Sequence, residues 1–273
     1  MCLARMTSLA SFDLPLGDLP LGGALAAPAR ALAPRAGMPA TVISLPGRLR
    51  IAAKQSTKVD AGGDFFEVFQ HADGRVSIVV ADVCGNGLVA AQIAAEIRPA
   101  LQAALRRGES PGGVLAALNE GLMGAGARDR FVTAVALRVD ATVGTAELAC
   151  AGHLGPFVRG DDGAARVTTE ATGVPLGLLS DESYRETTLD LSPGDTLVLV
   201  TDGITDPLAS EDDLLGAGEL ARRLAVASNA RGGSPQDAAS LCHALLDDAV
   251  ATRGDATVLV LQLPARDVAP VAA

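Results

Sequence analysis

Four aspartates in this sequence stand beside glycines at the ends of apolar, strand-like runs. Asp64 follows Gly62-Gly63 and opens Phe65–Phe69, while Asp82 leaves Ile78–Ala81 and enters Val83-Cys84-Gly85-Asn86-Gly87. Asp202 leaves Leu197–Thr201 and precedes Gly203, and Asp255 follows Gly254 and opens the last apolar run. In an antiparallel sheet the exit of one strand and the entry of its neighbour share an edge, so two exits and two entries can gather four carboxylates at one rim. Strand ends hold ligands more rigidly than loop centres do. Carboxylates gathered in this way repel one another unless a divalent cation neutralises them. An all-oxygen set with no adjacent Cys or His favours Mg²⁺ or Mn²⁺ over Zn²⁺. Asp-Gly is also a common turn pair. Position alone leaves each aspartate open as turn residue or ligand, and only the set of four points to a metal.

The elements that must position these residues are short. Strand patterns cover Leu49–Ala53, Phe65–Phe69, Val76–Ala81, Phe131–Val139, Thr145–Cys150, Pro156–Arg159, Thr187–Leu191, Thr196–Thr201 and Ala256–Leu263. Ala72-Asp73-Gly74-Arg75 and Asp161-Asp162-Gly163 read as hairpin tips, where glycine accepts positive φ. Ile78–Ala81, Leu197–Val200 and Val258–Leu261 are apolar throughout, as expected of strands covered on both faces. Helical spacing covers Leu88–Arg107, Gly112–Met123, Ala217–Ala227 and Pro235–Ala251, with Ser110-Pro111 and Ser234-Pro235 as N-cap and first-turn pairs. Pro99 is expected to kink or split the first helix. The mixed inventory with hairpin connections predicts an α+β sandwich.

Composition narrows the function classes. The 273 residues carry 22 basic and 32 acidic side chains, a net charge of −10, which opposes binding to nucleic acid. Hydrophobic residues form 49% of the chain, enough for a core, whereas aromatics at 3% offer no stacking platform for single strands. Cys2, Cys84, Cys150 and Cys242 are scattered without CxxC spacing, which fits reduced thiols better than disulfides or structural zinc. No signal-peptide core or apolar span of about 20 residues is present, so the expectation is a cytoplasmic protein without membrane contact. Residues 1–45 read as an Ala/Pro-rich tail or linker, 46–264 as the folded domain and 265–273 as a C-terminal tail.

Taken in order, the motifs resemble the metal-dependent type 2C (PPM) protein phosphatases, in the branch named for stage II sporulation protein E. Gly62-Gly63-Asp64-Phe65-Phe66-Glu67-Val68-Phe69 is similar to GGDFYDVF, and Ala81-Asp82-Val83-Cys84-Gly85-Asn86-Gly87 to GDVSGKG. Phe131-Val132-Thr133 and Ala151-Gly152-His153 match internal FVT and AGH segments. Pro193-Gly194-Asp195 through Val200-Thr201-Asp202-Gly203-Ile204-Thr205 resembles PGD…YTDGVTE, and Gly254-Asp255-Ala256-Thr257-Val258 resembles DDATV. The likeness runs from about Arg48 to Leu263.

The resemblance implies an αββα sandwich of two mainly antiparallel sheets flanked by helices, with two Mn²⁺ or Mg²⁺ ions at one edge. Asp82 would be the catalytic bridging ligand, the Val83 carbonyl would complete one coordination sphere, Asp64 would bind directly or through water, and Asp202 would add a further carboxylate. A metal-bound hydroxide would then hydrolyse phosphoserine or phosphothreonine without a phospho-enzyme. The resemblance implies a phosphorylated anti-sigma-factor antagonist as partner and the helix after Gly87 as the regulatory switch; activation is expected from an activator protein or from homodimerisation through the switch helices.

The sequence departs from the pattern at Gly254, where the family usually places a ligand aspartate. Asp255 would have to take over by a one-residue slip. Otherwise the chain would be a catalytically impaired pseudophosphatase acting as a binding module. His153 reads as a turn or packing residue, and His71 and His243 as surface or helix residues. Cys84 reads as a small buried side chain. Lys54, Lys58 and Arg75 are near the motifs in sequence, but none is marked as a phosphate ligand. A P-loop is absent, since no GxxxxGK[ST] occurs.

Overall fold

The computed structural model describes residues 41–44, 49–57, 62–124, 130–160, 162–169, 171–210, 212–213, 216–227, 237–249 and 255–263. Its strands are β1 (Thr41–Ser44), β2 (Arg50–Ser56), β3 (Phe65–Gln70), β4 (Val76–Val83), β5 (Val132–Asp140), β6 (Thr145–Ala151), β7 (Phe157–Arg159), β8 (Ala165–Val167), β9 (Thr187–Asp190), β10 (Thr196–Val200) and β11 (Ala256–Gln262). Its helices are α1 (Gly87–Arg107), α2 (Pro111–Gly124), the single turn α3 (Asp202–Thr205), α4 (Ala217–Ala227) and α5 (Ala238–Ala249). Six strands order as β1-β2-β11-β10-β7-β8 and five as β3-β4-β5-β6-β9. Neighbouring strands within each sheet run antiparallel.

The continuous apolar runs explain the layering. Along β4, Ile78 and Val80 enter the core between the sheets, while Val79, Ala81 and Val83 face α1 and α2. On β10, Leu197 and Leu199 point between the sheets and Val198 and Val200 toward α4 and α5, and β11 repeats the division. Period-two alternation therefore feeds two different cores from one strand. The result is the expected αββα sandwich.

Helix α1 buries Ile93, Ile97, Leu101 and Ala104 on one stripe and ends where Gly108, at φ 72°, donates back to Leu105, as left-handed glycine caps do. Pro99 does not split it: α1 runs from Gly87 to Arg107 with the proline inside. Pro99 and Ala95, whose carbonyl loses its usual donor, are both exposed, so water can take the missing hydrogen bond while the buried stripe holds the helix on either side. Ser110 caps α2 through its Oγ, which accepts from Gly113 N at 3.4 Å. The Ser234-Pro235 pair lies outside the described residues; α5 is capped by Asp237, whose Oδ1 accepts from Ser240 N at 2.9 Å. The hairpin tip at Gly74 has φ 88° and that at Gly163 has φ 81°. Among the described residues four elements escaped the sequence reading: β8, α3, the 3₁₀ turn Asp206–Leu208, and β1, which lies inside the stretch assigned to the N-terminal tail and pairs with β2.

Candidate metal centre

Register brings the aspartates together. Phe65 faces Ala81 across β3 and β4, so Asp64, one residue before, and Asp82, one residue after, meet at the same sheet end. In the other sheet Val200 faces Val258, which sets Asp202 just beyond the end of β10 and Asp255 just ahead of β11. The two sheet ends join through Asp64. Its Oδ2 accepts from Thr201 Oγ1 at 2.7 Å and from Thr257 Oγ1 at 2.8 Å. Thr201 is itself fixed, its Oγ1 accepting from Thr257 N at 2.9 Å. Gln55 Nε2 donates to the Asp64 carbonyl at 2.7 Å. These hydroxyls and the amide were not among the sequence candidates. The signal that could have found them is the placement of Thr201 and Thr257 at strand ends beside Asp202 and Asp255, where an inward hydroxyl has a carboxylate to meet.

Asp255 turns toward the same rim: its Oδ2 accepts from Gly63 N at 3.1 Å. The Val83 carbonyl lies 2.8 Å from where a side chain on Gly63 would begin, so glycine is needed there for the Asp64 and Asp82 strands to close up. All five sequence candidates, Asp64, Asp82, Val83, Asp202 and Asp255, therefore sit at one end of the sandwich. Gly254 lies outside the described residues.

The electrostatics are those of crowded like charges. The Asp82 carboxyl is pushed up to about 8, first by burial and then by the negative Asp64 and Asp202. Burial raises Asp64 to about 6 against the opposing pull of the two threonine hydroxyls, and the Asp64 and Asp82 carboxyls share a hydrogen bond. Asp202 is raised by burial and by Asp206. Near neutral pH the Asp64–Asp82 pair therefore retains a proton, the response of crowded carboxylates facing one another. Among the described residues no three acidic, imidazole or thiol groups converge closely enough to enclose an ion. The donor set nevertheless fits a hard divalent cation. It is all oxygen, and a cation would replace the proton that the cluster otherwise has to keep.

Other candidates fall away. His71 Nε2 lies 2.8 Å from Ser77 Oγ, and His243 Nδ1 lies 2.8 Å from Lys54 Nζ, which also pairs with Asp247 at 3.3 Å. His153 is buried with Nδ1 on the Leu154 carbonyl at 2.8 Å. Arg75 is held by Asp73 at 2.6 Å. Cys84 Sγ accepts from Phe131 N at 3.2 Å.

The stage II sporulation protein E (SpoIIE) family matches residues 72–264, a stretch that holds Asp82, Asp202 and Asp255. The chain belongs to the SpoIIE family. Phosphoserine phosphatase RsbP of Bacillus subtilis is 28% identical over 167 residues, covering 60% of this SpoIIE-family chain and 41% of RsbP. The RsbU and RsbW domains of a Mycobacterium tuberculosis protein superpose with a TM-score of 0.68 at 26% identity, covering 80% of this chain and 60% of that one. The catalytic domain of the serine/threonine protein phosphatase PstP, solved with two manganese ions, superposes with a TM-score of 0.54 at 20% identity, covering 80% and 99%. At that identity the likeness is one of fold. This SpoIIE-family chain spans less than half the length of RsbP. Among the described residues no helix is long and apolar enough to cross a membrane.

Proposed function

We propose that this SpoIIE-family chain is a Mn²⁺- or Mg²⁺-dependent protein serine/threonine phosphatase, acting on a phosphorylated anti-sigma-factor antagonist in bacterial signalling. The observation that carries the reading is the convergence of Asp64, Asp82, Asp202 and Asp255 on one rim, with Asp82 titrating near 8 among them. RsbP, a named phosphoserine phosphatase, and PstP, whose catalytic domain holds two manganese ions, support it.

Asp82, the Val83 carbonyl, Asp64, Asp202 and Asp255 are the groups that would hold the ions. Divalent ions would offset the carboxylate charge and bring the pKa of a water from 15.7 toward about 7, which makes a nucleophile available. The side chains then have three tasks. Asp82 holds a proton that a bound cation would displace. Thr201 and Thr257 together hold the Oδ2 atom of Asp64 fixed, which leaves its other oxygen for the rim. Gln55 holds the Asp64 carbonyl and so fixes that strand end. The Cys84 thiol, tied to Phe131 N, is not presented as a nucleophile, in keeping with direct hydrolysis.

The test is turnover of a phosphoserine peptide against Mn²⁺ concentration, with Asp82→Asn alongside and calorimetric Mn²⁺ titration of both proteins. Saturable turnover in the wild type, reduced at least about a hundredfold by the substitution, is the expected result. A folded wild-type chain that neither binds Mn²⁺ nor turns over would favour a second reading: a non-catalytic binding module, motivated by Gly254 and by the absence of a closed ligand set among the described residues.

A further inference from the structure

A carboxylate rim on a chain of net charge −10 repels a phosphate dianion as strongly as it attracts cations, so a phosphomonoester site there calls for a positive side chain at the rim. Among the described residues, the cations near these motifs in sequence are engaged elsewhere, Lys54 with Asp247 and His243 and Arg75 with Asp73, while Lys58 and Arg253 lie outside the described residues. Arg98 faces Glu67 and stacks on Phe65 at 5.1 Å, on the helix side of the sheet. Arg130 differs from these. It is exposed and pairs with no carboxylate among the described residues.

Its position is built. In the turn leaving Asp82, Gly85 adopts φ 104°, and a side chain there would begin 2.9 Å from Arg130 Nη1. The guanidinium thus lies on the bare backbone of Gly85, a surface that only glycine leaves free. The neighbouring residues are tied twice: Cys84 N donates to the Phe131 carbonyl at 3.0 Å, and Phe131 N donates to Cys84 Sγ at 3.2 Å. Gly85 is three residues from Asp82, so their Cα atoms are at most about 11 Å apart. Arginine presents a planar fork that matches two phosphate oxygens, which a lysine cannot do.

We propose that Arg130 is the substrate-binding cation of this rim, gripping the non-reacting oxygens of the phosphoryl group while Asp82 and its companions serve the other side. The assignment rests on the phosphatase reading for its substrate but not for its test. Inorganic phosphate is titrated calorimetrically into the Mn²⁺-loaded full chain and its Arg130→Ala and Arg130→Lys variants, and KM for p-nitrophenyl phosphate is measured in parallel. Mn²⁺ affinity and thermal midpoint serve as controls, and an exposed side chain should leave both unchanged.

Arg130→Ala should weaken phosphate binding roughly tenfold to a hundredfold, as expected for loss of a charge-assisted hydrogen-bonded pair, with Arg130→Lys between it and the wild type. KM for the ester should rise in parallel, with a smaller change in kcat. Phosphate affinity equal in Arg130→Ala and wild type, or no phosphate binding by the wild type, overturns the assignment even if the ester is hydrolysed. Arg130-dependent phosphate binding without any hydrolysis upholds the assignment and removes the phosphatase reading instead.

Discussion

Asp64 is held at both its carboxylate and its backbone carbonyl. Two threonine hydroxyls converge on its Oδ2, and a glutamine amide holds its carbonyl. Removing one donor leaves a buried acceptor short of a partner. Thr257→Val should therefore lower unfolding free energy by about 1–3 kcal/mol and push the Asp64 carboxyl further up. Urea unfolding would measure the first effect and carboxyl NMR the second; an unchanged midpoint would show the hydroxyl to be dispensable. The four aspartates were legible in the sequence because each sits where an apolar run meets a glycine-containing turn. Thr201 and Thr257 were not. Their role depends on the register of β10 against β11 and on the nearness of the other sheet, neither of which local sequence specifies.

Among the elements, α1 holds the most instructive disagreement with the sequence. Proline inside a helix removes one donor and crowds the preceding turn, yet Pro99 sits on the exposed face of an unbroken helix whose opposite stripe is buried. Tertiary packing outweighs the local penalty, as it commonly does for propensity. Pro99→Ala restores the donor to Ala95 and should stabilise the fold by about 1–3 kcal/mol, less whatever the unfolded chain gains in freedom. Thermal unfolding would check it, and a lowered midpoint would mean that the proline shapes α1 for another purpose. The long strands and helices were legible from their periods. The short elements were not: β8 is three residues with a central arginine, and α3 is one turn of Asp-Gly-Ile-Thr that reads as loop. β1 is a four-residue run, Thr-Val-Ile-Ser, beyond an Ala/Pro-rich stretch, and its pairing with β2 distinguishes it.

At the scale of the whole molecule, the aspartate cluster ties stability to protons. Asp82 titrates near 8 and Asp64 near 6 in the folded chain, against 3.8 for an ordinary aspartate. The folded state thus binds more protons than the unfolded state between those values, and stability falls as pH rises through that interval. In the presence of chelator the urea midpoint should be lower at pH 9 than at pH 7, and saturating Mn²⁺ should shrink the difference. A midpoint that rises with pH would show that the cluster is not buried together. Asp64 also belongs to one sheet while the hydroxyls that hold it belong to the other. The rim is therefore a clasp as well as a ligand set: whatever enters it tightens or loosens the seam between the two halves of the sandwich. Occupancy of the rim would then be read in how firmly the two sheets are joined at that end.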